Sequence, residues 1–170
     1  EKLAHANAWW RETAQRILVE RRDAAVLPAI RAVALKAATA HGRVHALWTL
    51  HAMNALSSSN LAAAIRDTHP TVQNNALRAM AELRTAPPSN VVAAAIKQLK
   101  DTSERTRLEA LLALSQWTPD KDAISAVHKL FSDLKDSKDM WARSAMLGVA
   151  RRAPTNFIRA SFASDKSDNY

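Results

Sequence analysis

Thr106-Arg107-Leu108-Glu109-Ala110, followed four residues on by Leu114, is one line of a pattern that occurs five times. The other lines are Trp10-Arg11-Glu12-Thr13-Ala14, Gly42-Arg43-Val44-His45-Ala46, Val72-Gln73-Asn74-Asn75-Ala76 and Trp141-Ala142-Arg143-Ser144-Ala145. Their alanines stand 32, 30, 34 and 35 residues apart. Four positions after each alanine comes a larger apolar residue: Leu18, Leu50, Met80, Leu114 or Val149. Three positions after it stands Ile17, Thr49, Ala79, Ala113 or Gly148. Residues i, i+3 and i+4 share one helix face, so each line is an apolar stripe whose central alanine lets a neighbouring helix approach closely. Five lines in phase are an internal repeat.

A second, shorter helix is expected after each stripe, marked by an apolar residue and a base: Ile30-Arg31, Ile65-Arg66, Ile96-Lys97, His128-Lys129 and Ile158-Arg159. His128 breaks the isoleucine column, with Val127 beside it able to rotate in. Pro70, Pro87-Pro88, Pro119 and Pro154 fall between helices, where a missing N–H is tolerated. Asp23, Ser59, Ser89 and Asp120 or Asp122 stand where N-caps are wanted. The spacing predicts helices near 7–21, 24–37, 43–56, 59–66, 71–84, 89–100, 103–117, 121–133, 138–152 and 155–163. Ten helices in five pairs, none able to bury its stripe alone, predict an all-α fold, an α-solenoid of about five helical hairpins. The repeats span about 5–37, 41–66, 69–100, 103–133 and 137–163 of a single domain, 1–163, with 164–170 a frayed polar tail.

Composition excludes the main alternatives. Two glycines in 170 residues, Gly42 and Gly148, starve the chain of phosphate cradles and hairpin turns, which argues against Rossmann, P-loop and all-β folds. The absence of cysteine removes disulfides, Cys-bearing zinc sites and haem attached through Cys-x-x-Cys-His. The longest stretch free of Asp, Glu, Lys and Arg, Val44 to Ile65, is broken by His45, His51, Asn54 and Ser57-Ser58-Ser59-Asn60; it reads as two soluble helices, not a membrane span. The first residues, Glu1-Lys2-Leu3-Ala4-His5, lack a Met and the apolar core of a signal peptide, as expected of a piece of a longer protein. They leave the compartment open.

The period suits tetratricopeptide or short HEAT-type units, and the Trp, Leu-Gly and Tyr signature of the former is not present. HEAT-like repeats usually carry an aspartate in the inter-repeat turn and an arginine at the start of the next helix. Asp67, Asp101 and Asp136 stand six positions before Gln73, Arg107 and Ala142, so only Asp101 and Arg107 keep both partners, with Arg143 a displaced substitute. Arg11 and Arg43 are present in the first two repeats, where His5 and Ala37 occupy the aspartate column. The pattern is that of a degenerate HEAT-like array.

Two strings are more specific: His5-Ala-Asn-Ala-Trp9-Trp10-Arg11-Glu-Thr-Ala-Gln-Arg16-Ile-Leu-Val-Glu20-Arg21 and His41-Gly-Arg43-Val-His45-Ala-Leu-Trp48-Thr-Leu. They resemble the helical-repeat region of bacterial haem-binding, membrane-bound-dehydrogenase-like proteins, in which a β-propeller precedes the repeats and a c-type cytochrome domain follows. The likeness covers about residues 3–56 and is generic HEAT beyond. It implies an exported, periplasmic setting and a scaffolding role between redox domains. The parts that carry chemistry lie outside this chain, so neither a catalytic residue nor a cofactor is expected in it.

Candidate binding residues follow from charge and aromatic placement. Lys and Arg outnumber Asp and Glu by 24 to 16, a formal +8, which permits an anionic polymer or nucleic acid as partner. Arg31, Arg66, Lys97, Lys129 and Arg159 form one basic column; it reads either as an anion-binding stripe on a concave face or as a solvated helix face. The first of these gives a second functional class, a nucleic-acid-binding solenoid of the DNA glycosylase kind. Trp10 and Trp141 share a repeat column and are expected in the core. Trp9 points about 100° away from Trp10, either into inter-helix packing or outward to dock a neighbouring domain. His41 and His45, at i and i+4, have the spacing of two metal ligands but no third, and polar packing is the better reading. Asp133, Asp136 and Asp139 lack the glycine and glutamate of a calcium loop, which leaves turn and cap duty.

Overall fold

Side-chain caps set where the first helix of every repeat begins. Asn7, Thr39, His69, Ser103 and Asp139 each accept a hydrogen bond from a backbone N–H two or three residues on. They open α1 (Ala8–Arg21), α3 (Ala40–Ala52), α5 (Pro70–Ala81), α7 (Glu104–Ser115) and α9 (Met140–Ala150). The second helices are α2 (Leu27–Lys36), α4 (Ser58–Ile65), α6 (Ser89–Gln98), α8 (Lys121–Asp133) and α10 (Pro154–Ser164). The computed structural model describes residues 2–134 and 139–164, among which there is no strand. The expected tail over 165–170 lies outside the described residues; Ser164 closes α10. No described helix is long and apolar enough to cross a membrane.

Several expected boundaries shift for local reasons. Thr39 caps α3 three residues before the expected start. Asp23 caps only a 3-10 turn, Ala24–Val26, and α2 begins after it with Pro28 in the first turn. Ser57 rather than Ser59 caps α4, and Asp120 rather than Asp122 caps α8. Ser89 is the first residue of α6; Pro88 stands at its cap position and offers no side-chain acceptor.

The chain divides into two compact units, Glu1–Glu82 and Leu83–Tyr170, the division falling within the repeat expected over 69–100. In the first unit α1, α3 and α5 lie side by side in one layer and α2 and α4 in a second, with α2 against α3 and α4 against α5. In the second unit α7 and α9 form one layer and α6, α8 and α10 the other, with α6 against α7 and α8 against α9. Both are two-layer stacks of helical hairpins, the α-solenoid architecture.

The stripe alanines are the packing surfaces. Ala46, Ala76 and Ala110 are completely buried, Ala145 is buried and Ala14 half-buried. The residue after each of the last four alanines forms a further buried column that the i, i+3, i+4 reading passes over: Leu47, Leu77, Leu111 and Met146; Gln15 breaks it in the first repeat. Each such side chain contributes about 1.5–3 kcal/mol by leaving water. Trp10 and Trp141 overturn the expectation of core placement, being 41% and 76% exposed. Their column is filled by Gly42, Val72 and Thr106 in the middle repeats, all buried, a slot too small for an indole. Trp10 instead meets Trp9 edge-on with ring centroids 4.7 Å apart and lies under the Lys2 ammonium. In α9 the neighbouring Ala142 takes the buried place.

A recurring hydrogen bond closes the repeat junctions. Arg11 donates to the His5 carbonyl (2.7 Å), Arg43 to Ala37 (2.6 Å), Gln73 to Asp67 (2.7 Å) and Arg107 to Asp101 (2.8 Å), each six residues back. The acceptor is backbone, so His5 and Ala37 serve in the aspartate column as well as Asp101 does. The Asp101 carboxylate accepts from the Ser103 N–H instead. Arg143 reaches the Leu134 carbonyl, and Asp136 lies outside the described residues. Arg43 also makes a bidentate ion pair with Asp67 in the following turn, at 2.8 and 2.9 Å.

Candidate functional site

The basic column is not uniform once built. Arg31 on α2 is half-buried: its Nη2 lies 3.5 Å from the Ala55 carbonyl oxygen, and its Nε is buried without a partner. Arg66, exposed at the C-terminal end of α4, shares a cleft of about 380 Å³ with Lys36, Arg43 and Asp67. Lys97 is exposed on α6. Lys129 and Arg159, also exposed, come together in the second unit, where α8 and α10 border a cleft of about 910 Å³. Lys121, Ser125 and Asn156 line the same cleft. Sequence reasoning passed over them, although 121, 125 and 129 are successive i+4 positions on one face of α8.

Two other candidates have partners within the fold. His45 Nδ1 lies 2.7 Å from Gln15 Oε1. Burial holds its imidazole below the ordinary range, helped by the Arg11 guanidinium and His41 and opposed by Glu12. Asp139 caps α9, while Asp133 stands 3.6 Å from the Lys129 ammonium. Among the described residues no group of three His, Asp or Glu side chains is placed to hold a metal ion.

Trp9 is 59% exposed. The indole it meets, Trp10, is one wall of an apolar cleft of about 420 Å³ lined also by Leu3, Ile17, Leu18, Ile30 and Val33. Trp9 thus lies exposed against a lining residue of an apolar cleft formed by the 3-10 turn Lys2–Ala4, α1 and α2.

The family model for HEAT repeats matches residues 57–147, more than half of the chain. The chain belongs to the HEAT-repeat family. Helices packed in the same two layers continue outside the matched segment. An engineered protein, whose crystal structure comes from a structural genomics consortium, superposes with a TM-score of 0.60 over 96% of this chain and 83% of its own length. At 17% identity that likeness is one of fold. No curated protein matches the sequence.

Proposed function

We propose that this HEAT chain is a non-catalytic scaffold, a protein-binding module that joins redox domains within an exported protein of the haem-binding, dehydrogenase-like kind. The supporting observation is Trp9, more than half exposed and packed against Trp10, which lines an apolar cleft. An exposed indole beside apolar surface is a common anchor of protein interfaces. The redox setting and periplasmic location rest on the resemblance over residues 3–56. In this reading the module holds no cofactor of its own and touches its neighbours through surface alone. The coding sequence on either side is then expected to specify a β-propeller upstream and Cys-x-x-Cys-His downstream. Trp9→Ser is expected to weaken docking of the preceding domain, supplied separately and measured by calorimetry, about tenfold. Unchanged affinity refutes the role of Trp9, and absence of both flanking domains refutes the redox setting.

A second reading, a nucleic-acid-binding solenoid using Arg31, Arg66, Lys97, Lys129 and Arg159, is favoured by one observation, the meeting of Lys129 and Arg159 in a single cleft. The inward tie of Arg31 weighs against it. Retention of DNA at low salt, lost on reversing Arg66 and Lys97 to Glu, supports this reading; no retention removes it.

A further inference from the structure

We infer that the cleft between α8 and α10 is a docking site for an acidic peptide segment, one that seats an apolar side chain on the floor and its carboxylates on the rim. The inference rests on the protein-binding reading and names a partner class for a different surface from that of Trp9. The cleft is lined by three cations, Lys121, Lys129 and Arg159, against one carboxylate, Asp133, which is already engaged with Lys129. Lys121 and Arg159 make no ion pair among the described residues and are exposed, so their charge faces whatever enters. Ile124, buried, and Ala160, half-buried, contribute apolar surface to the same lining, beside the neutral polar Ser125, Ser132 and Asn156. His128 packs edge-on against Phe157 of α10 at 5.8 Å, joining the two helices that form the walls. A volume of about 910 Å³ accommodates several side chains.

Nucleic acid fits this surface less well. The ring that lines the cleft, His128, is held edge-on by Phe157, and the Ile124 and Ala160 surface suits an aliphatic side chain, which nucleic acid lacks. Carboxylates paired to Lys121 and Arg159, with an apolar residue beside them, match the two exposed cations and the apolar part of the lining.

Fluorescence anisotropy of a labelled peptide of Glu-Glu-Leu repeats tests the assignment on the intact chain, with Lys-Lys-Leu repeats as control and oligothymidylate as competitor. The acidic peptide is expected to bind and to weaken as salt rises, and the basic one not to bind. The double variant Lys121→Glu, Arg159→Glu is expected to lose at least about tenfold in affinity. Arg21→Glu, exposed at the end of α1 in the other unit, is expected to change it less than about twofold. Circular dichroism checks that each variant keeps its helices. No binding of the acidic peptide, equal binding by the double variant, or tighter binding of oligothymidylate overturns the inference. None of these results affects docking through Trp9, which is measured separately against the neighbouring domain.

Discussion

Burial of the His45 imidazole beside Gln15 and Arg11 makes the stability of the first unit sensitive to pH. Its folded-state pKa lies below the ordinary 6.5, so the unfolded chain takes up the proton first. The contribution of this residue is therefore intact above about pH 6.5 and is lost as pH falls through that value toward the folded pKa. His45→Gln, which keeps a hydrogen-bonding group toward Gln15, is expected to show a smaller drop in Tm between about pH 7.5 and pH 5.5 than the native chain. An identical pH slope in the two contradicts this. Gly42 shows a different constraint: a Cβ there would lie 2.8 Å from the Cβ and 2.9 Å from the Cα of Ala4. Its backbone is ordinary, so the glycine is needed for close approach of the Lys2–Ala4 turn to α3. Gly42→Ala is expected to cost about 1–3 kcal/mol by denaturant titration. Gly148→Ala meets only the Ser115 side chain, its Cβ at 3.2 Å and its Oγ at 3.7 Å, and is expected to cost less. Neither partner was legible in the sequence, because Ala4 and Gln15 reach α3 through tertiary packing and no local spacing encodes that meeting.

Helix phase was the most legible feature, since the i, i+3, i+4 rule is a property of one helix alone. The alanine column and the four-on column were readable for that reason. The Leu47, Leu77, Leu111 and Met146 column was passed over because it widens the stripe toward a second neighbour. Helix ends were less legible, as Ser57 and Ser59 are equally good caps until the chain direction is known. At the end of α1, Arg22 adopts a left-handed conformation, φ 49°, and its N–H donates to the Leu18 carbonyl. That conformation costs a non-glycine residue about 1–2 kcal/mol, against about 0.5–1 kcal/mol of extra chain entropy lost by a glycine. Arg22→Gly is accordingly expected to raise stability by about 0.5 kcal/mol, and Arg22→Val to lower it; thermal melts of both decide. At the junction into α3, Arg43→Ala removes the Ala37 bond and leaves Asp67 without its bidentate partner in a mostly buried site. The expected loss is about 2–3 kcal/mol, whereas Asp101→Asn, whose carboxylate only accepts from Ser103, is expected to lose less than about 1 kcal/mol.

Across the whole chain, the two units each bury their own set of large side chains, Leu50, Ile65, Leu77 and Met80 in one and Val91, Leu111, Val127 and Met146 in the other. Leu50→Ala is expected to cost about 2–5 kcal/mol and to raise amide exchange first in α1 to α5, and Leu111→Ala to do so first in α6 to α10. Uniform loss of protection from either substitution contradicts the division. At this scale the sequence showed the period and the fold class, but only part of the candidate site. A column of bases recurring once per repeat records a register position, and Arg31 turning to the Ala55 carbonyl while Lys129 and Arg159 converge depends on local helix packing and side-chain reach. The junction bonds carry one more consequence. Because Arg11, Arg43, Gln73 and Arg107 grip a peptide oxygen, an atom every amino acid supplies, the seam between hairpins is blind to spelling. Loops at these seams are natural splice points, open to rewriting or to grafted segments so long as the helix cap, the donor downstream and the reach between them are kept.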